Sequence, residues 1–314
     1  MTFPAPTHVG RLSLESRHMP AAQGGGGDIY DVMATPFGVR LLIGDVMGTG
    51  LGANQTGLAV LNAWRELACT EPSLAGIAVR LHALITRSEH PDRFVTALLV
   101  NFPVTIGTGG TATPDPAHGG WAELVCCGHP PPLLLRDGSA VFIEPYAAPP
   151  LGLLDLADGW CKASVLPVGE GDQLLLYTDG VSEARDGAGC FFPLAEQTAT
   201  ALRAAAAGQD AGPGRPQLLD SLVASLRDHA GDRVTDDIML LLVTLRLAAR
   251  ASTTGTAGSR YRELAHRYDR AASARVGRHE TMPWGSTTRG GGTWRSHRCL
   301  SARPGRRSSG ITTR

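Results

Sequence analysis

An α+β fold, with helices grouped between blocks of strands, is what the first 250 residues predict. Three observations carry this. Short apolar runs bounded by Gly, Pro or Asp recur along the chain, as buried strands do. Only three stretches carry a helical apolar period. And the order is strands, two consecutive helices, a long series of strands, then helices and a last strand, which lacks the regular strand–helix alternation of a parallel doubly wound sheet.

Taken in order, Val39–Val46 reads as a strand that ends at Asp45. Ala53–Cys69 reads as a helix with Leu58, Leu61 and Leu67 near one face, and Ser73–Ser88 as a second helix with Ile77, Leu81, Leu84 and Ile85 in register. Phe94–Phe102, Trp121–Gly128, Ala140–Glu144 and Gln173–Thr178 are further strands. Pro216–His229 opens with a first-turn proline and carries Leu218, Leu219, Leu222 and Leu226, and Ile238–Leu247 closes the unit as a strand. Thr105–Gly120 and Ala207–Arg215 have loop composition.

The formal net charge of zero conceals a split. Residues 1–250 hold 16 Lys and Arg against 26 acids, whereas residues 251–314 hold 13 Arg against 3 acids. That shift sets a domain boundary near 250. Residues 251–314 are rich in Arg, Gly and Ser and nearly free of aliphatic residues, so disorder is expected there. Clustered Arg could neutralise phosphates, yet a solvated extension is the simpler reading, and nucleic acid is not the expected partner. No apolar run is long enough to cross a bilayer and the first ten residues show no signal-peptide pattern, so a cytoplasmic protein without membrane attachment is expected. The six cysteines form no CxxC pair, which argues against a zinc ribbon or a disulfide-stapled fold.

Four acidic sites sit at strand ends or in Gly-bounded turns. They are Gly26-Gly27-Asp28-Ile29-Tyr30-Asp31, Gly44-Asp45-Val46-Met47-Gly48-Thr49-Gly50, Thr178-Asp179-Gly180 and Asp236-Asp237-Ile238. Any one Asp-Gly is ordinarily a turn, and Asp31 and Asp237 could be solvated or capping residues. Together they are more telling, because gathered carboxylates repel one another unless protonated or neutralised by a cation. All-oxygen donors suit Mg²⁺ or Mn²⁺ rather than zinc.

These blocks, with Arg17-His18-Met19-Pro20-Ala21, Phe94-Val95-Thr96-Ala97-Leu98, Cys127-Gly128-His129-Pro130-Pro131-Pro132-Leu133, Pro150-Leu151-Gly152 and Tyr177-Thr178-Asp179-Gly180-Val181-Ser182-Glu183-Ala184, occur in the order seen in one family. Residues 11–248 resemble the SpoIIE-type catalytic domain, the bacterial branch of the metal-dependent (PPM) protein serine/threonine phosphatases. The resemblance implies a four-layer α-β-β-α sandwich of two mainly antiparallel sheets, with a metal site at one end. It implies a centre of two Mn²⁺ or Mg²⁺ ions held by Asp28, Asp45, the Val46 carbonyl, Asp179, Asp236 and Asp237, with Asp45 bridging. Asp236 is the better match in the last block, and Asp28, Asp45, Asp179 and Asp236 are the residues on which catalysis is expected to depend.

The implied reaction is attack of metal-activated water on a phosphoserine or phosphothreonine of a protein. The implied substrate is an anti-sigma-factor antagonist in a partner-switching circuit. Cys126 and Cys127 are expected to be packing residues, with their side chains on opposite faces of a strand. His129 is expected to fix its Gly-His-Pro-Pro turn rather than to act as an acid. Thr49 and Met239 depart from the family pattern, where His or Lys and Thr or Ser are common. With about ten residues before the first block, control is expected from a separate protein, from association or from expression, and a homodimer stays open. The alternative to an enzyme is a non-catalytic binding module that keeps the fold to hold a signalling partner.

Overall fold

The computed structural model describes residues 7–10, 12–20, 27–88, 92–103, 120–207, 217–231 and 236–246. The expected tail, 251–314, and most of the two expected loops lie outside them. The chain runs β1 (Thr7–Val9), β2 (Leu12–Met19), β3 (Asp28–Thr35), β4 (Gly38–Val46), α1 (Leu51–Thr70), α2 (Leu74–Thr86), β5 (Val95–Pro103), β6 (Gly120–Cys127), β7 (Leu133–Arg136), β8 (Ser139–Phe142) and β9 (Ala147–Ala148). There follow β10 (Ser164–Val168), β11 (Gln173–Tyr177), α3 (Asp179–Ser182), α4 (Leu194–Ala207), α5 (Leu218–Ala230) and β12 (Ile238–Leu245).

Two sheets form. One has the order β1-β2-β12-β11-β7-β8 and the other β10-β6-β5-β4-β3, with β9 added parallel to β6. All other pairings are antiparallel. Three apolar clusters define four layers. Leu14, Leu41, Ile43, Leu124, Leu176 and Leu241 fill the space between the sheets. Trp64, Ile77, Leu81, Leu99 and Cys127 seal α1 and α2 onto the β3–β6 side. Leu175, Leu219, Leu222, Leu226 and Leu240 seal α5 onto the β11–β12 side. This is the α-β-β-α sandwich that the resemblance implied.

The helix faces come from local sequence. Ser73 caps α2 by accepting the Gly76 N–H, as a residue of its type does at a helix start. The buried face of α1 is Ala53, Gly57, Val60, Trp64, Leu67 and Ala68. The apolar face expected there is corrected in one respect: Leu58 is 61% exposed. The first turns of this face are small, because α1 lies so near β3 there that a Cβ on Gly57 would stand 3.0 Å from Ile29. Arg65 on α1 binds Asp31 on β3 at 2.8 Å, so Asp31 serves as an anchor for the helix. Among the described residues no helix is long and apolar enough to cross a membrane.

Candidate metal centre

The period-two alternation of strands sorts the acids before any contact is considered. On β3, Tyr30 faces the inter-sheet core while Ile29 faces α1. Asp28 therefore shares the Tyr30 face at the mouth of the sandwich, and Asp31 shares the helix side. In the β3–β4 register Asp28 stands directly opposite Asp45, so the two carboxylates are cross-strand neighbours. Like charges in that relation repel.

The other sheet brings the remaining acids. β11 ends at Tyr177, and Thr178 leads into the short α3 with Asp179 in its first turn. Beside it, Asp236 and Asp237 precede β12, and Asp236 Oδ1 accepts the Asp237 N–H at 2.8 Å. Gly180 makes the approach possible, since a Cβ there would lie 2.0 Å from the Asp237 carbonyl oxygen. Thr178 joins the sheets: its Oγ1 accepts the Met239 N–H at 3.0 Å and donates to Asp28 Oδ2 at 2.9 Å.

The electrostatics agree with this crowding. Burial, then the charges of Asp45, Asp237 and Asp179, push Asp28 up to about 8, against the pull of the Thr178 hydroxyl. Burial, then Asp179 and Asp236, push Asp45 up to about 7. Asp179 is raised by burial and by Asp236. All five sequence-predicted carboxylates thus belong to one field, with Asp237 on the Asp28 side and Asp236 on the side of Asp45 and Asp179.

The donors suit a hard divalent cation, and Gly27 supplies the clearest observation. A Cβ built there would meet the Val46 carbonyl oxygen at 2.3 Å and Asp45 Oδ1 at 2.5 Å. These two oxygens therefore converge on a cradle that only glycine leaves open. Oxygen donors of this kind, already repelling one another, are what Mg²⁺ or Mn²⁺ ligation requires.

A cleft of about 550 Å³ opens beside Asp179, lined among others by Thr96, His129, Pro130, Pro131 and Phe142. His129 is buried and neutral, because burial pushes its imidazole down to about 3. Thr96 Oγ1 accepts the Asp45 N–H at 3.2 Å and shares a hydrogen bond with His129 Nδ1, also at 3.2 Å. His129 thereby ties its turn to β5, as expected. Cys126 lies in the inter-sheet core and Cys127 under the helices, on opposite faces of β6. Neither faces the cleft as a nucleophile would.

A family model described as Stage II sporulation protein E (SpoIIE) matches residues 35–246. The chain belongs to the SpoIIE family. Its homologues are serine/threonine protein phosphatases of the PP2C type, and that is its enzyme class. The solved RsbU and RsbW domains of Rv1364c from Mycobacterium tuberculosis match with a TM-score of 0.58 at 23% identity, over 83% of this chain and 69% of that one. The PP2C phosphatase domain of SpoIIE from Bacillus subtilis, with a fragment of its regulatory domain, gives 0.56 at 13% identity over 76% and 64%. RsbX, solved with magnesium, gives 0.52 at 14% identity over 77% and 98%. At these identities the likeness to the solved SpoIIE-family and PP2C structures is one of fold.

Reading the sequence alone missed three contributors within the quoted blocks. Thr178 and Thr96 orient the carboxylate strands, and His18 lies 3.7 Å from Asp237. The two threonines stand beside or opposite an acid in register (Thr178 before Asp179, Thr96 across from Asp45), which is the signal that could have exposed them.

Proposed function

We propose that Asp28, Asp45, Asp179, Asp236 and Asp237, with the Val46 carbonyl, hold two divalent cations, Mn²⁺ or Mg²⁺. With them the chain hydrolyses phosphoserine or phosphothreonine on a protein, with residues 1–250 as the catalytic unit. The observation that carries this is the gathering of these acids at one end of the sandwich, where Asp28 stands opposite Asp45 in register and burial, then the neighbouring carboxylates, push the two up to about 8 and 7. When bound, such a cation supplies Lewis acidity and lowers the pKa of a coordinated water, making water the nucleophile near neutral pH.

The chain's own groups set the geometry. Asp45 faces both Asp28 and the Asp179–Asp236 side, the position a bridging carboxylate needs. Thr178 fixes the rotation of Asp28 through Oδ2, and Thr96 fixes the Asp45 backbone. The cleft beside Asp179, with Pro130, Pro131 and Phe142 in its wall, receives the phosphorylated segment. No phosphoenzyme is needed. The retention of every carboxylate speaks for an enzyme rather than for a metal-free binding module.

The substrate we infer is a phosphorylated anti-sigma-factor antagonist in a partner-switching circuit. Family membership supports it, as does the likeness to a protein in which RsbU and RsbW domains share one chain. The test is hydrolysis of p-nitrophenyl phosphate and of phosphorylated antagonist proteins with Mn²⁺. Asp45→Ala and Asp179→Ala should lose more than about a hundredfold in rate, since disturbing even an outer partner of a metal costs about 10–100-fold. Full metal-dependent turnover in either variant would overturn the site assignment.

A further inference from the structure

His18 ends the inward-facing register of β2. Leu12 and Leu14 on that face are buried in the inter-sheet core, and Ser16 and His18 continue the same alternation toward the end of the sandwich. The β2–β12 register sets His18 opposite Met239, two residues from Asp237 and on the strand whose Met239 N–H is bound by Thr178. A ring nitrogen of His18 and one oxygen each of Asp28 and Asp237 lie within 4.8 Å of one another.

The separation of His18 Nε2 and Asp237 Oδ2 is 3.7 Å. That is too long for a hydrogen bond. It lies between the two spacings open to donors that share one cation, so a small shift of either side chain would seat both on it. With bonds of about 2.1 Å, adjacent ligands of an octahedron stand about 3.0 Å apart and opposite ones about 4.2 Å. Thr178 occupies Asp28 Oδ2, which leaves Oδ1 for a ligand bond. The Asp237 side chain is 7% exposed and that of His18 is 32% exposed. The imidazole therefore lies on the solvent side of the carboxylates, where an entering cation passes.

We propose that His18 is a nitrogen ligand to the cation shared by Asp28 and Asp237. This rests on the metal-centre reading above and adds a selectivity to it. Oxygen-only sites suit Mg²⁺, whereas an imidazole favours Mn²⁺ and the later first-row ions. The centre is thus tuned away from Mg²⁺ at one of its two positions.

The experiment is pulsed electron paramagnetic resonance on the full chain loaded with Mn²⁺, with and without heavy-nitrogen histidine. A nitrogen hyperfine coupling that shifts on labelling is expected in the wild type, and it should vanish in His18→Ala. The preference for Mn²⁺ over Mg²⁺, measured by competition, should fall at least about tenfold in that variant. Bound Mn²⁺ without a histidine coupling, or a coupling that survives His18→Ala, would overturn the inference and leave the metal centre standing. Failure of the wild type to bind Mn²⁺ would overturn the metal centre itself, and His18 ligation with it. The labelling arm on the wild type shows whether any histidine binds the cation, and His18→Gln, which keeps a polar side chain of similar size, assigns the coupling to His18 if the alanine variant does not fold.

Discussion

Thr178 shows how one side chain can be structural and functional together. It is fully buried, and its hydroxyl both receives the Met239 N–H and holds Asp28. Thr178→Val keeps the shape but strands a buried N–H, which costs about 1–3 kcal/mol. Urea unfolding of the metal-free protein should show that loss, and activity should fall as Asp28 loses its orientation. Thr178→Ser restores the hydroxyl and should recover most of both; equal losses in the two variants would mean that the methyl matters, not the hydrogen bonds. Gly27 offers the complementary case, in which an absent atom is the function. Gly27→Ala puts a methyl against the Val46 carbonyl and Asp45 Oδ1. Calorimetric titration should then find Mn²⁺ binding at least about tenfold weaker.

At the scale of elements, α1 separates what the sequence discloses from what only packing decides. Trp64 is fully buried and Leu58 is largely exposed, although both are large apolar residues on one helix. Trp64→Ala should cost about 3–5 kcal/mol, and Leu58→Ala should stay within about 0.5 kcal/mol; chemical denaturation of the two variants checks that Trp64, and not Leu58, belongs to the buried face. The strands with mostly apolar runs (β4, β5, β6, β11 and β12) are legible in the sequence to within one or two residues. β2 is not, because its inward face turns from Leu12 and Leu14 to Ser16 and His18 as it nears the site, so the apolar alternation fades where the chemistry begins. β10 is hidden by Pro167, which an edge strand tolerates and β10 is one. α4 escapes notice because alanines make up so much of it. The carboxylates were legible through motif order, yet their grouping depends on register: Asp28 meets Asp45 and Asp31 does not, a distinction that three residues of spacing on a strand decide.

For the molecule as a whole, the carboxylate cluster makes stability depend on pH and metal together. Asp28 and Asp45 sit at about 8 and 7 in the folded chain against an ordinary 3.8, and Asp179 is also raised. Between pH 4 and 8 the folded state therefore holds protons that the unfolded chain has released. Stability is fully present below the unfolded value and is lost as pH rises through the folded ones. Thermal unfolding in chelator should show a higher midpoint at pH 5 than at pH 8. Mn²⁺ at about 100 times its dissociation constant should add about 2.7 kcal/mol at pH 8. At a fixed concentration it should add less at pH 5, where protons compete for the same oxygens. Asp28→Asn removes one of the repelling charges, so without metal it should be more stable than the wild type at pH 8, while gaining little from Mn²⁺. A midpoint that climbs from pH 5 to pH 8 in chelator would mean that the five acids do not share one desolvated field.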